Sequence, residues 1–514
     1  MRIIGELVRQ LARIRYGRIQ RAVAQPERVQ RQTLMKLIHR ARHTQWGRRF
    51  SYETIESVED YQGRVPLGTY QDFEPYWAQS LKGVWDVTWP GPVRYFAITS
   101  GTTSGNKLIP ISPDGWRSNQ RAGLDTVVLY MIPTGDTRLF DGKFLFLGGS
   151  TSLQDTGHGT YIGDMSGIQT VRLPWYLRHL YSPGREVAAI ENWEEKIVRI
   201  AEVASKQDIR GISGIPSWMV ILFETVLEVT GKRHVRDVWP NLRLLIHGGV
   251  DFSPYRADFR ERLGDDVTFF EVYPASEGFV AMTGDLERHD LLLMLDYGIF
   301  YEFVRVDELE SPSPTRLPVW EVDTETNYAI VLSTNSGLWS YVLGDTVRFT
   351  GLEPHTIRIT GRTRHFLSAF GEHLIVEEVE DALSRACTAF DADIQDYTVA
   401  PLYPEAERRV PAHQWLIEFR SLPGDLAAFA RRVDERVRER NDDYAAHRSG
   451  AGMLVPEVVA LPKGCIYEVM KRRGKLGGQN KLPRLQNNRE LADLVLGVCE
   501  ELGGPVRVAP AAED

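Results

Sequence analysis

Short apolar runs alternate along this chain with longer stretches whose apolar residues return every three or four positions. Residues 143–147, 242–246, 267–273 and 328–332 are compact apolar runs that read as strands. Residues 112–131, 192–205 and 217–229 carry the helical period, and Ser112 as N-cap with Pro113 in the first turn opens the first of them. Strands alternating with helices predict an α/β domain. The character changes after about residue 365. There 375–387 reads as an acidic amphipathic helix, 413–420 alternates like a half-exposed strand, 426–440 reads as a charged helix and 455–461 as another strand. That pattern predicts a small α+β unit.

A chain of 514 residues is too long for one compact core. The expected organisation is a large N-terminal domain over 1–367, a hinge at 368–372 with Gly371 as pivot, and a small C-terminal domain over 373–514. At the N-terminus Arg2, Arg9, Arg13, Arg15, Arg18 and Arg21 interleave with Ile3, Ile4, Leu7, Leu11 and Ile14 at helical spacing. The favoured reading is an amphipathic helix packed on its own domain. A membrane-surface helix or a targeting segment is the alternative, and a signal peptide lacks its uninterrupted apolar region here.

Composition narrows the classes. A net charge of -8 leaves no global footprint for nucleic acid. No apolar stretch reaches the roughly 18 residues of a membrane span. Cys387, Cys465 and Cys499 are odd in number and far apart, so they form neither a disulfide framework nor a zinc ligand set. A reducing cytoplasm is the expected compartment.

The candidate chemistry starts at Thr99-Ser-Gly-Thr-Thr-Ser-Gly-Asn-Lys107, which follows the apolar run 93–98 and precedes Ile109-Pro110. A strand entering a Gly/Ser/Thr loop closed by a lysine suits polyphosphate: glycines admit a close backbone, successive N–H groups form an anion nest, and the lysine adds charge. It is not a Walker loop, since Asn106 stands where glycine is needed and Leu108 follows Lys107. Val272-Tyr-Pro-Ala-Ser-Glu-Gly278 follows a strong strand, where open α/β sheets bind ligands. Glu277 there is a candidate Mg²⁺ ligand and Tyr273 a candidate base-stacking ring. The plainer alternatives are a turn carboxylate and a core tyrosine. Tyr341-Val-Leu-Gly-Asp345 offers a loop carboxylate after a strand for ribose hydroxyls, or an ordinary Gly-Asp turn. Arg362, in Ile359-Thr-Gly-Arg362, precedes the suspected hinge. Gly477-Gly-Gln-Asn-Lys481-Leu-Pro-Arg484 reads as a mobile loop carrying a cation, or as a solvated basic tail.

Taken in order, these segments resemble the acyl-adenylate-forming enzymes. Thr-Ser-Gly-Thr-Thr-Ser-Gly at 99–105, Gly214-Ile-Pro-Ser-Trp218, His247-Gly-Gly249, Phe370-Gly-Glu-His373 and Gln479-Asn-Lys-Leu-Pro-Arg484 are similar to the GH3 acyl-acid amido synthetase family, over about residues 30–490. The likeness implies an α/β fold: a large N-terminal adenylate-forming domain of mixed β-sheets and flanking helices, with a small mobile C-terminal α+β domain. It implies ATP and Mg²⁺ as cofactors, and a small carboxylic acid and an amine, such as an amino acid, as substrates. Ser100, Gly101, Thr102, Thr103, Ser104, Gly105 and Lys107 would embrace the β- and γ-phosphates. Gly249, Tyr273 and Ser276 would lie at the nucleotide, Asp345 at the ribose, and Arg362 at the domain boundary. Glu277 would help bind Mg²⁺, and Lys481 would touch the substrate carboxylate and the α-phosphate. Two departures stand out: only Asn106 separates Gly105 from Lys107, and His373 replaces a lysine common in the hinge.

Helices 112–131 and 217–229 would wall the acid pocket, with Trp116, Trp218, Met219 and Phe223 as lining or as plain core. His247 reads as a structural histidine ahead of a group reaching the reacting carbonyl. Three rival functions remain distinguishable. An adenylating enzyme that passes its acyl group to coenzyme A or a carrier phosphopantetheine shares the first step. A serine hydrolase or acyltransferase lacks its G-x-S-x-G elbow. A silent nucleotide-binding protein would have little use for both Glu277 and Lys481.

Overall fold

The computed structural model describes residues 2–507 apart from 100–106, 149–150, 174, 191, 250–251, 253–254, 310, 364–365, 368, 370–371, 373, 404–410, 442–443, 446–447, 449–452, 477–480 and 487. The chain divides into two compact units. The first holds 1–343, 347–358 and 477–479; the second holds 344–346, 359–476 and 480–514.

In the first unit the strands expected from apolar runs form Lys143–Phe146, Leu244–Gly248, Thr268–Pro274 and Asn327–Thr334. Lys143–Phe146, Ile209–Gly214, Leu244–Gly248 and Thr268–Pro274 pair in parallel. Helix Pro216–Thr230 follows the second of these and Arg256–Leu263 the third, the strand–helix–strand arrangement that parallel pairing requires. At Phe279–Thr283 the direction reverses, and Leu291–Leu293 adds a further antiparallel strand. Among the described residues these join a twelve-stranded mixed sheet that continues through His355–Arg362, Tyr341–Leu352, Asn327–Thr334 and Ile299–Arg305. A smaller sheet pairs Tyr95–Thr99 antiparallel to Lys107–Ile111 and parallel to Tyr161–Asp164.

Helix Pro113–Thr134 begins as its sequence dictates. The Ser112 hydroxyl accepts from Asp114 N and Gly115 N, and the helix ends on Gly135 at φ 66°. The N-terminal helix Arg2–Val23 packs on it. Ala12 and Ile19 are buried, while Arg15 gives charge-assisted bonds to Asp125 at 2.6 Å and Asp296 at 2.5 Å. Tyr297 Oη also donates to Asp125 at 2.8 Å. This helix is thus packed on its own domain.

In the second unit Asp393–Leu402, Ala412–Ser421 and Glu457–Leu461 form one sheet with Val506–Arg507. Side chains alternate between two cores. Tyr397, Val399, Trp415, Ile417 and Val458 face helices Val376–Phe390 and Leu426–Arg440. Ala400, Leu416, Val459 and Leu461 face Cys465–Arg472 and Glu490–Glu501. The half-exposed strand expected at 413–420 is therefore buried on both faces. Two of its polar residues are paired inside the protein instead of solvated: His413 Nε2 meets Glu372 at 2.8 Å with both side chains fully buried, and Gln414 donates to Glu457 and accepts from Arg489. A local pattern cannot register a second layer of helices.

Candidate active site

The hairpin Tyr95–Thr99/Lys107–Ile111 frames the proposed phosphate loop, because Thr99 and Lys107 are the last pair of its ladder. Ser100, Gly101, Thr102, Thr103, Ser104 and Gly105 themselves lie outside the described residues. Lys107 is half-buried, with Nζ 5.8 Å from the centre of the Tyr70 ring. The Tyr70 hydroxyl accepts from Leu108 N at 3.2 Å.

Ser276 and Glu277 sit in the tight turn between Thr268–Pro274 and Phe279–Thr283, closed by Ala275 N to Gly278 O at 3.0 Å and Gly278 N to Ala275 O at 3.1 Å. Both are half-buried and line a crevice whose other wall is helix Pro113–Thr134, through Gly115, Ser118 and Asn119. The turn Thr334-Asn335-Ser336 closes the crevice. Asn335 is held on three sides. Its side-chain amide donates to Ser118 Oγ at 2.9 Å and Tyr297 O at 3.3 Å, and its carbonyl accepts from Ser112 Oγ at 2.5 Å. Gly115 permits the approach of helix and turn, since a Cβ there would lie 2.0 Å from Ser336 Oγ. Asn335, Ser118 and Asn119 were not among the residues singled out from sequence. The Asn-Ser-Gly run after an apolar strand was the available signal, but it reads locally as no more than a strand end.

Tyr273 lies on the strand leading to Glu277 and is 6% exposed. Gly249 follows Leu244–Gly248 at φ 83°, in the left-handed region that favours glycine. His247 is 2% exposed and stacked on Phe252 at 3.8 Å. Its Nδ1 is buried without a hydrogen-bond partner. Burial, and then the nearby Arg256 charge, push its pKa down to about 3, so the ring is neutral at ordinary pH. It lines a separate cleft, not the crevice of Glu277.

Of the residues expected at the acid pocket, Trp116 is buried and carries the Arg172 guanidinium 4.4 Å over its ring. Trp218 packs edge-on against Trp193 at 4.7 Å. Met219 and Phe223 are fully buried, with Phe223 against Trp239 and Phe259.

Asp345, Arg362 and Lys481 belong to the second unit. Asp345 was expected in a loop; it stands inside strand Tyr341–Leu352, 9% exposed. Gly344 at φ 92° bends the backbone there without ending the ladder. Arg362 ends strand His355–Arg362, and its side chain is outside the described residues. Lys481 is exposed, just after the undescribed residues 477–480. Of the hinge positions, 368, 370 and 371 are outside the described residues, as is His373; Glu372 is buried against His413.

Models of the GH3 family N-terminal domain match residues 15–170 and 150–268, the central-domain model matches 292–362, and the C-terminal-domain model matches 377–490. The chain belongs to the GH3 family. This GH3 chain is 21% identical over 396 residues to the jasmonoyl–L-amino acid synthetase JAR4 of Nicotiana attenuata, covering 64% of this chain and 67% of that protein. Its fold is similar to that of AtGH3.15 acyl acid amido synthetase in complex with 2,4-DB, with a TM-score of 0.79 at 16% identity over 98% of both chains. A more distant likeness is to 2-hydroxyisobutyryl-CoA ligase in complex with 2-HIB-AMP, with a TM-score of 0.57 at 16% identity over 95% of this chain and 91% of that one. The fold is thus a mixed α/β architecture shared with acyl acid amido synthetases. Among the described residues no helix is long and apolar enough to cross a membrane.

Proposed function

We propose that this GH3 protein is an ATP-dependent acyl-acid amido synthetase. The observation that carries the reading is the crevice in which Ser276 and Glu277, at the carboxyl end of a sheet strand, meet helix Pro113–Thr134 and the Asn335 turn. That is where an open α/β sheet receives its ligand. In the first step a carboxylate oxygen of the acid attacks the α-phosphorus of ATP. The bond to the β-phosphate breaks, and acyl-AMP and pyrophosphate form. In the second step an amine attacks the acyl carbon, its bond to the phosphate oxygen breaks, AMP leaves, and the nitrogen loses a proton to give the amide.

The chemistry needs charge more than proton transfer. Negative oxygens crowd in the first transition state, and preorganised cations lower its energy. Lys481 is the cation assigned to the α-phosphate and the acid. Lys107 and the hydroxyls and N–H groups of 100–105 are assigned to the outer phosphates, Asp345 to the ribose, Tyr273 to the base, Gly249 and Ser276 to the nucleotide, and Arg362 to the nucleotide at the domain boundary. Glu277 suits Mg²⁺, which takes one or two carboxylates together with substrate phosphates. Among the described residues no group of three or more His, Cys, Asp or Glu is gathered for a metal. When bound, Mg²⁺ would neutralise phosphate charge. Enclosing the site in the second step would keep water from the adenylate.

The test is mass spectrometry of products after incubation with ATP, Mg²⁺, mixed aryl, indolyl, fatty and polyketide acids, mixed amino acids and coenzyme A. Amide, AMP and pyrophosphate are expected. Thioester without amide would reassign the acceptor to a thiol. ATP binding without acid-dependent pyrophosphate exchange would leave only the silent reading.

A further inference from the structure

The two walls of the Glu277 crevice are joined behind it by one arginine. Helix Pro113–Thr134 gives Gly115, Ser118 and Asn119 to one wall, and Phe279, Tyr297 and Ile299 belong to the other. Asp125 lies on the Ser118 face of that helix, two turns and about 10 Å further on. Asp296 immediately precedes Tyr297. Arg15, from the N-terminal helix Arg2–Val23, reaches both carboxylates. Its Nε and Nη2 donate to Asp125 at 2.8 and 2.6 Å, and its Nη1 and Nη2 donate to Asp296 at 2.5 and 3.1 Å. The planar fork of a guanidinium is matched to such paired oxygens.

Charge decides what the bridge does. Asp125 is buried and Asp296 partly so. With Arg15 between them, each carboxylate faces a cation. Without it, two carboxylates would share a poorly solvated space and repel. Two further ties cross the same gap: Tyr297 Oη donates to Asp125 at 2.8 Å, and Arg121 Nη1 donates to the Asp296 carbonyl at 3.3 Å. Burial, and then the Asp125 charge, raise the Tyr297 pKa well above its ordinary value, so the phenol remains a donor. Neither tie replaces the guanidinium at Asp125, because the phenol is neutral and Arg121 is exposed, where water screens it.

Movement of the 296–298 turn would reach the site by short paths. The Tyr297 carbonyl accepts from the Asn335 side-chain amide at 3.3 Å, and the Gly298 carbonyl accepts from Asn335 N at 3.0 Å. The Tyr297 ring meets Phe279 edge-on at 6.1 Å, beside the Glu277 turn. Packing there leaves little slack. A Cβ on Gly298 would lie 2.3 Å from Asn335 Nδ2, and one on Gly278 2.7 Å from Ile299 Cδ1.

We propose that Arg15 is a positioning residue of this site. By bridging Asp125 and Asp296 it sets the distance between the helix wall and the Tyr297 wall. The N-terminal helix is thereby part of the functional unit, although it touches no ligand in this role. The kinetic consequence rests on the amido synthetase reading, and the mechanical one does not.

The experiment compares full-length wild type with Arg15→Met, Tyr297→Phe, Arg15→Met combined with Asp125→Asn, and Arg18→Met, an exposed arginine on the same helix. Hydrogen–deuterium exchange over 294–300 and 333–338 reads the turns without substrate. Acid-dependent pyrophosphate exchange, at a temperature where circular dichroism finds each variant folded, reads KM for ATP and for the acid. Partial unfolding lowers kcat alone, because the molecules that remain folded are unaltered, whereas a parted crevice raises KM. Arg15→Met is expected to deuterate both segments about fivefold faster or more and to raise one of the KM values about tenfold. Tyr297→Phe should raise the same KM by less, and Arg18→Met should stay within about twofold of wild type in both readouts. Adding Asp125→Asn removes the repulsion and should recover much of the Arg15→Met loss. Deuteration that quickens only in the N-terminal helix with KM unchanged, or a KM rise as large in the double variant as in Arg15→Met, overturns the proposal. Wild type without acid-dependent pyrophosphate exchange would overturn the amido synthetase reading instead, and the deuteration arm would still decide the bridge.

Discussion

If Lys481 supplies the charge proposed for the α-phosphate, its removal tells mainly as that phosphate is attacked. Lys481→Ala is therefore expected to bind ATP normally and to lose about 10²–10³ in acid-dependent pyrophosphate exchange. Unchanged exchange would remove Lys481 from the chemistry. Asp345→Ala should weaken ATP binding, measured by calorimetry, and equal affinity would refute its ribose role. His247 gives a pH signature. Its folded pKa is about 3, against an ordinary value of 6.5. Above about pH 6.5 both folded and unfolded chains hold a neutral ring. Between there and pH 3 only the unfolded chain gains the proton, so stability falls as the solution is acidified, by at most about 1.4 kcal/mol per pH unit from this group. Urea midpoints at pH 4.5 and 7.5 should differ less in His247→Phe than in the wild type. At this scale the place of Glu277 in a turn at a strand's end was legible, because strand and turn residues stand together in one short motif. Asn335 was not, because an asparagine after a strand looks the same whether or not a helix comes to meet it.

The contact between helix Pro113–Thr134 and the Asn335 turn depends on a missing methyl group. Gly115→Ala gains helix propensity but forces a Cβ to within 2.0 Å of Ser336 Oγ. Overpacking should win, at a cost of about 1–3 kcal/mol. Ser336→Ala in the same chain leaves the 3.4 Å contact with Ser336 Cβ, so the double variant should recover much of that loss. Equal denaturation midpoints for single and double variants would count against the clash. The N-terminal helix is held by Arg15, whose partner Asp125 is 1% exposed. Arg15→Met strands that carboxylate and should cost about 3 kcal/mol, partly restored by adding Asp125→Asn. Helix existence was readable from periodicity and caps: residues 426–440 were predicted, and helix Leu426–Arg440 formed. The burial of Ala412–Ser421 was not readable, because polar residues paired inside a protein have the same letters as polar residues in water.

For the whole molecule, three GH3 domain models span 15–490, while the chain packs as two units with interleaved boundaries. Residues 344–346 pack with the second unit although the strand around them belongs to the first. If Mg²⁺ enters with ATP, chelation by EDTA should stop pyrophosphate exchange without lowering the melting temperature measured in the absence of nucleotide. A large fall in that temperature would indicate a resident structural metal instead.

The sequence determined much of the succession of strands and helices, the strand that leads into the Gly/Ser/Thr loop, and the family likeness. All of these rest on dihedral preference, side-chain period and turn chemistry, which act between near neighbours. Tertiary structure alone decided which surfaces meet. Asn335 touches Ser118 across 217 residues, and Arg15 touches Asp296 across 281. The cleft lined by His247, Arg256 and Glu271 exists because Phe279–Thr283 turns back along Thr268–Pro274 and carries Arg288 and His289 towards Arg256. Such contacts depend on strand order and long-range pairing, whose energy no local window of residues contains.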